Sequence, residues 1–574
     1  HISGLSLNIG IQLRNPDSRE EFFARVKIPL NLPRFIATSD GAKNRYIPLE
    51  LLIRKNLNHL FPGMEILTHY TFRLTRNQDM ELDEEETDDI LLTLEKELQK
   101  RRFGTPVRLE VPLDIPAKVL ADLADELEID ESEIIKYQEP LDLTGLNQIA
   151  DIEIANLKFP PFSSSIPPQF EELEDDSPEG FFAALRHGEV LLHHPYESFE
   201  PVLELLREAA RDPDVLAIKQ TVYRTGDKSP VMEALIEAAQ NGKEVTVVLE
   251  LLARFDEQTN INWAAKLEEV GAHVVYGVVG HKCHAKMLLI VRKERVSKAG
   301  KTSLVRYAHL GTGNYHPRTA RLYTDFGLMT CDPLLTKDIH HVFQQLTGTG
   351  MQLETREIWE APFTMLEQLV HHIRVETRAA KQGKKARIIG KMNALLEPTI
   401  IEELYKASQA GVQIDLIVRG VCALRPGVKG LSENIKVRSI VGRFLEHHRI
   451  FYFYAHGKEE VYLSSADWMD RNLFRRIEVA FPILDPELKQ KVIIGQVSDD
   501  YGMSKLQVVF YDKNKPNILF KKGLILKNKV VDQFVYAFPD GIALQPGINY
   551  EYYFEVFDND VVNGLKSSKS AVFS

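Results

Sequence analysis

Apolar and polar positions change period several times along this chain, and each change marks an element. Phe23–Pro29 alternates like a half-buried strand. Glu84 to Arg102 reads as a helix. Ile90, Leu91, Leu94 and Leu98 recur at helical spacing, acidic residues crowd the start, and Lys100, Arg101 and Arg102 close it, an order that complements the helix dipole. Residues 1–160 therefore read as an α+β domain. Phe159–Pro168, rich in proline and serine, reads as a linker.

Beyond the linker, apolar runs and helical periods alternate, as α/β layers require. Val215–Ile218 is a short buried strand, Val231–Gln240 a helix ended by Gly242, and Val245–Leu249 the next strand. Asn262–Val270 is a helix stopped by Gly271, and His273–Tyr276 and Met287–Val291 continue the sheet. The pattern then repeats about 170 residues later: Leu235–Gly242 followed by Val245–Glu250 matches Leu404–Gly411 followed by Ile414–Arg419. That is a domain duplication, not a solenoid repeat. The halves span 161–347 and 348–492. From 493 to 574 short strands such as Leu506–Tyr511 and Tyr550–Phe557, separated by turns, read as a small β-sandwich.

Composition narrows the classes. A chain of 574 residues exceeds what one core holds, and 44% hydrophobic with 26% charged residues is ordinary globular material. The net charge of −12 argues against general nucleic-acid binding. No apolar run reaches the length of a transmembrane helix, and the start carries no signal-peptide pattern. The chain begins with His1 rather than Met, so a preceding native segment is expected. Three cysteines, Cys283, Cys331 and Cys422, fit a reducing compartment and no disulfide framework. His281-Lys282-Cys283-His284 matches no common zinc spacing.

Candidate chemistry sits in two short motifs, His284-Ala285-Lys286 and His447-His448-Arg449. Each is followed by a small-residue turn ending in a polar side chain, Gly311-Thr312-Gly313-Asn314 and Ser464-Ser465-Ala466-Asp467. Lys286 is expected on the same strand face as His284, two positions on. Duplication would bring two histidines to one cleft, among cations that include Arg224, Arg254, Arg318, Arg321, Lys391, Arg419 and Arg443. Neutral imidazole is nucleophilic near pH 7 and cations offset phosphate charge, so the set suits phosphoryl transfer through a phosphohistidine. His193-His194, His340-His341 and His371-His372 lack such context and are expected to be structural or surface residues. A P-loop is the rival phosphate cradle. The nearest string, Arg295–Thr302, lacks the first glycine and lies between two strands, so it is rejected.

Residues 1 to about 492 resemble polyphosphate kinase of the phosphohistidine type, the ATP–polyphosphate phosphotransferase family. The resemblance is carried by Leu216–Thr225, Glu250–Glu257, Leu310–Tyr315, Thr319–Asp325, Val437–Gly442 and Tyr462–Trp468. It implies two phospholipase D-like catalytic domains, which agrees with the duplication. It implies that His284 is phosphorylated, that His447 assists transfer and contacts nucleotide phosphate, and that Tyr323 and Arg419 contact ATP. Lys286 and Arg321 are further phosphate-binding candidates. Arg224 and Arg254 match positions that the family associates with Mg²⁺. A guanidinium has no lone pair to give, so both are read as phosphate contacts beside the metal.

The same resemblance implies ATP, ADP and inorganic polyphosphate as partners, a homodimer or homotetramer, and a cytoplasmic location with association at the inner face of the membrane. Against the family's pattern, the first helical domain and the beginning of the next are expected to be missing from this chain, and the β-rich tail is expected to stand in place of the C-terminal segment. The alternatives are a phospholipase D-like phosphodiesterase and a truncated polyphosphate-binding fragment without activity.

Overall fold

The computed structural model describes residues 2–38, 45–77, 104–138, 140–159, 161–171, 180–224, 226–251, 253, 256–277, 281–295, 302–348, 353–493, 496–498, 503–524, 531–533, 550–558 and 567–569. The helix expected over Glu84–Arg102 lies outside them, as does Arg254. The chain forms two compact units, His1–Pro160 and Pro161–Ser574.

The first unit is built on a five-stranded sheet in the order Glu21–Lys27, Leu7–Arg14, Glu65–Arg76, Pro106–Pro112, Ile134–Tyr137. The strand expected at Phe23–Pro29 is thus present two residues earlier. Helix Ala117–Leu127 buries Val119, Leu123 and Leu127 against Phe72, Leu109 and Val111.

The second unit holds two eight-stranded sheets. The first runs His273–Val275, Glu244–Leu249, Val215–Val222, Lys286–Arg295, Thr302–Gly311, Tyr323–Thr330, with Val190–His194 on the last strand. The second runs Ile435–Arg438, Gln413–Val418, Arg387–Met392, Arg449–Phe453, Glu460–Ser464, Arg476–Pro482, with Trp359–Ala361 on its last strand. The two orders are the same, so the repeat read in sequence is a repeat of topology. Local signals explain the matched helices. Pro230 and Pro398 occupy first-turn positions, where a missing N–H costs nothing. Ser229 Oγ accepts from Met232 N at 3.3 Å and Glu397 Oε2 from Ile400 N at 2.6 Å. Gly242 and Gly411, at φ +79° and +100°, follow the helices in the left-handed conformation that glycine adopts without strain.

Helix Glu257–Glu269 starts five residues before the hydrophobic period that predicts it. Its first turn is buried through polar contacts that the period cannot register. Asn260 Nδ2 donates to the carbonyls of Tyr223 and Glu250, at 3.1 and 2.8 Å. Arg295 and Thr302 pair across an antiparallel hairpin, not at a strand-to-helix turn.

One core joins the halves. Met287, Leu289, Leu310 and Leu328 from the first sheet pack with Leu463, Ile477, Val479 and Phe481 from the second. In the tail, Met503–Asp512 pairs with Phe520–Leu524 and Tyr550–Asp558, and Ser567–Lys569 follows on the outer side of the latter. Gln496–Ser498 pairs separately with Val531–Gln533. Among the described residues no helix is long and apolar enough to cross a membrane.

Candidate active site

Each sheet borrows its eighth strand from the other half. Lys282–Cys283, just ahead of His284, pairs with Arg476–Ile477 in the second sheet. Leu445–Glu446, just ahead of His447, pairs with Tyr323–Thr324 in the first. The expectation that His284 and Lys286 share one strand face is therefore corrected. His284 and Ala285 form a break in which the chain leaves the second sheet, and Lys286 begins a strand of the first. Both backbone N–H groups at the break donate to the carbonyl of Ile477 at 2.9 Å, so the crossing stays hydrogen-bonded.

This exchange seats each histidine beside a carboxylate of the opposite half. His284 Nδ1 donates to Glu478 Oε2 at 2.8 Å, and His447 Nδ1 donates to Asp325 Oδ1 at 2.8 Å. A carboxylate only accepts, so the contacts place a proton on both Nδ1 atoms and leave Nε2 as the basic nitrogen. Each carboxylate is oriented by a hydroxyl of its own half. Ser465 Oγ donates to Glu478 at 2.5 Å, and Thr312 Oγ1 donates to Asp325 at 2.7 Å. Asn472 Nδ2 adds a third donor to Glu478, at 2.5 Å.

The electrostatics follow from burial. Burial pushes His284 down to about 3, with Glu478 pulling the other way, so the ring is neutral at neutral pH. His447 is lowered for the same reason, with Asp325 opposing. Burial would raise Glu478 and Asp325, but their histidine partners and hydroxyl donors outweigh it and hold both carboxyls ionised. Lys286 is pushed down to about 7 by burial, helped by Arg449 and Arg476 and opposed by Glu478 and Asp325. Lys286 also lowers His447, so the two half-sites form one electrostatic site.

Among the residues singled out from sequence, the structure gathers His284, Lys286, His447 and Arg449. Tyr323 lies against His447, ring centroids 5.3 Å apart. Arg419 Nη1 donates to the carbonyl of Glu446 at 2.8 Å. Its counterpart in the repeat, Glu250, accepts the N–H of Cys283 at 2.8 Å. Each thus fixes the strand ahead of a histidine. Lys391 bridges Glu446 and His448. Arg224 is half-exposed, 3.3 Å from Asp256, next to the Tyr223 ring that meets His284 edge-on at 4.9 Å. Arg321 is exposed at the end of a short helix, and no described contact draws it to His447. His193, expected to be structural, stacks on Phe326 at 4.3 Å and meets His448 edge-on.

Sequence reasoning missed the carboxylates Glu478 and Asp325 and the roles of Ser465 and Thr312. A signal existed: each acid follows its hydroxyl by the same interval, thirteen residues, in both halves. No group of three or more His, Cys, Asp or Glu side chains that could hold a metal occurs among the described residues.

Residues 1–149 match the polyphosphate kinase middle domain, residues 180–352 match polyphosphate kinase C-terminal domain 1, and residues 358–511 match C-terminal domain 2. The chain is 56% identical over 499 residues to a polyphosphate kinase of Burkholderia ambifaria, covering 86% of this chain and 72% of that protein. It is 57% identical over 503 residues to one of Paraburkholderia phytofirmans, covering 87% and 72%. Its fold is similar to the crystal structure of polyphosphate kinase from Porphyromonas gingivalis, with a TM-score of 0.73 and 33% identity, covering 86% of this chain and 72% of that one.

Proposed function

The chain belongs to the polyphosphate kinase family, and from that membership we propose that it reversibly transfers the γ-phosphoryl group of ATP to inorganic polyphosphate through a phosphohistidine at His284. The observation that carries this reading is the bond from His284 Nδ1 to Glu478, which turns the lone pair of Nε2 to the reaction. The Nε2–P bond forms as the bond from γ-phosphorus to the β,γ-bridging oxygen breaks, and the electron pair leaves with ADP. No proton need move. The ring becomes a phosphoimidazolium, its positive charge facing Glu478. A terminal oxygen of polyphosphate then attacks phosphorus, and the N–P pair returns to Nε2.

Lys286 offsets charge on the non-bridging oxygens, which is most of the catalysis in such transfers, while Arg449, paired with Asp467, holds His447. Tyr323 and Arg419 flank His447 and its strand, where nucleotide phosphates would lie. Arg224, and Arg254 by its family position, serve as further phosphate contacts. Among the described residues no group of three or more His, Cys, Asp or Glu side chains could hold Mg²⁺, so the ion would be held chiefly by the nucleotide phosphates, whose charge it would offset.

Incubation with γ-labelled ATP tests the reading. The expected product is an acid-labile, base-stable phosphoprotein that His284→Ala abolishes. Equal labelling of that variant would remove His284 from the mechanism.

A further inference from the structure

The half-sites share one layout, and one of the differences between them bears directly on the two cations Lys286 and Arg449. Sheet register pairs Lys286 with Gly311 in the first half and Arg449 with Ser464 in the second. Three residues beyond those partners stand Asn314 and Asp467. In the second half the result is a closed ion pair. Arg449 Nη2 donates to Asp467 Oδ2 at 2.9 Å and Nε to Oδ1 at 3.1 Å, with both side chains buried. In the first half an amide replaces the carboxylate. Lys286 is fully buried, and among the described residues no carboxylate lies within ion-pair distance of it. Its ammonium donates to the carbonyl of His284 and lies 5.6 Å from the Tyr223 ring centroid. The side-chain oxygen of Asn314 is buried without a hydrogen-bond partner.

These differences decide which cation can meet a new anion. A buried bidentate guanidinium–carboxylate pair is already satisfied, and pulling it apart exposes an uncompensated charge. A buried ammonium without a counter-ion is stabilised by any anion that arrives. The histidines differ in the same sense. His447 Nε2 lies 3.3 Å from Arg449 Nη1, which donates to it, whereas no described hydrogen bond engages Nε2 of His284.

We propose that the Asn314/Asp467 difference designates which histidine carries the phosphoryl group. Asn314 leaves Lys286 open to the oxygens of a group on His284. Asp467 ties Arg449 into a pair that also occupies His447, so His447 acts on the nucleotide without becoming phosphorylated. Asn314 and Asp467 are thus positioning residues, acting through the two cations. This rests on the phosphohistidine reading above.

The test uses the full chain, γ-labelled ATP, and mapping of phosphohistidine by mass spectrometry under alkaline conditions, in Asn314→Asp, Asp467→Asn and the double exchange. Asn314→Asp puts a carboxylate at the position that Asp467 holds beside Arg449 in the second half, where it would pair with Lys286, and should slow labelling at His284 by about tenfold or more. The double exchange should move a measurable share of label to His447. Labelling at His284 at the parent rate in both Asn314→Asp and the double exchange, with none at His447, would overturn the proposal. If the parent chain itself carries no phosphohistidine, the functional reading fails instead.

Asp467→Asn removes a partner from a buried pair and is the variant prone to misfold, so Asn314→Asp carries a second readout. Lys286 faces Glu478, Asp325, Arg449, Arg476, His284 and Tyr223. An added carboxylate should hold its proton to higher pH and shift the alkaline limb of the labelling rate upward. A slower variant with an unshifted limb would show a packing defect and sink the assignment.

Discussion

Replacing Glu478 by Gln removes one negative charge and almost no volume, so it isolates what the carboxylate does. Glu478 is fully buried and accepts from His284, Ser465 and Asn472. An amide cannot satisfy all three. If its oxygen faces His284 and Ser465, its NH₂ opposes the NH₂ of Asn472. If it is turned round, the NH₂ faces His284, and Nδ1 must accept. The proton then sits on Nε2 and the nucleophilic lone pair is lost. The charge effect adds to this. At 2.8 Å and an effective dielectric of about 20, a carboxylate and a full imidazolium charge attract by on the order of 6 kcal/mol. That is a ceiling, because the ring spreads its charge and an amide oxygen keeps part of the bond. Charge-assisted bonds exceed neutral ones by roughly 1–2 kcal/mol in mutational series. A transition-state loss of about 2–4 kcal/mol is expected, or about 30- to 1,000-fold in rate. Rapid-quench measurement of single-turnover phosphorylation reads it directly, with thermal unfolding as the check on folding. A folded Glu478→Gln protein that phosphorylates itself within about threefold of the parent rate would refute the cross-half pairing as a catalytic device.

Gly313 approaches Asp325 so closely that a Cβ there would sit 2.2 Å from its Oδ2. Gly313→Ala should push that carboxylate off His447 and lower turnover by about a hundredfold, and unchanged steady-state rates would contradict this. Acid should destabilise the fold early, because burial pushes His284 and His309 down to about 3 and His448 well below its ordinary value. Folded values lie below unfolded ones, so this stability is complete above about pH 6.5 and lost as pH falls toward 3, at up to about 1.4 kcal/mol per pH unit for each histidine. Urea midpoints that stay flat from pH 7 to about pH 4.5 would exclude neutral burial of these rings.

Much of this protein was legible in the chain alone. Helices such as Pro230–Gln240 and Pro398–Gln409 follow from apolar period, a capping side chain and a terminal glycine, all local properties. The duplication was legible because both copies use the same local devices. His284 and His447 could be singled out because each copy carries its histidine two residues before a cation. The pairing of those histidines could not be read in this way. Glu478 lies 194 residues from His284, and Asp325 lies 122 residues from His447. Local pattern places each acid on the strand of its own half and is silent about the other. Only the exchange of two short strands, Lys282–Cys283 and Leu445–Glu446, across the shared core sets each histidine against the opposite carboxylate. Strand edges join through backbone hydrogen bonds that any sequence can make, so no side-chain pattern announces the crossing. The sequence by itself determined the two halves and singled out a histidine in each, and tertiary contact decided which acid faces which histidine.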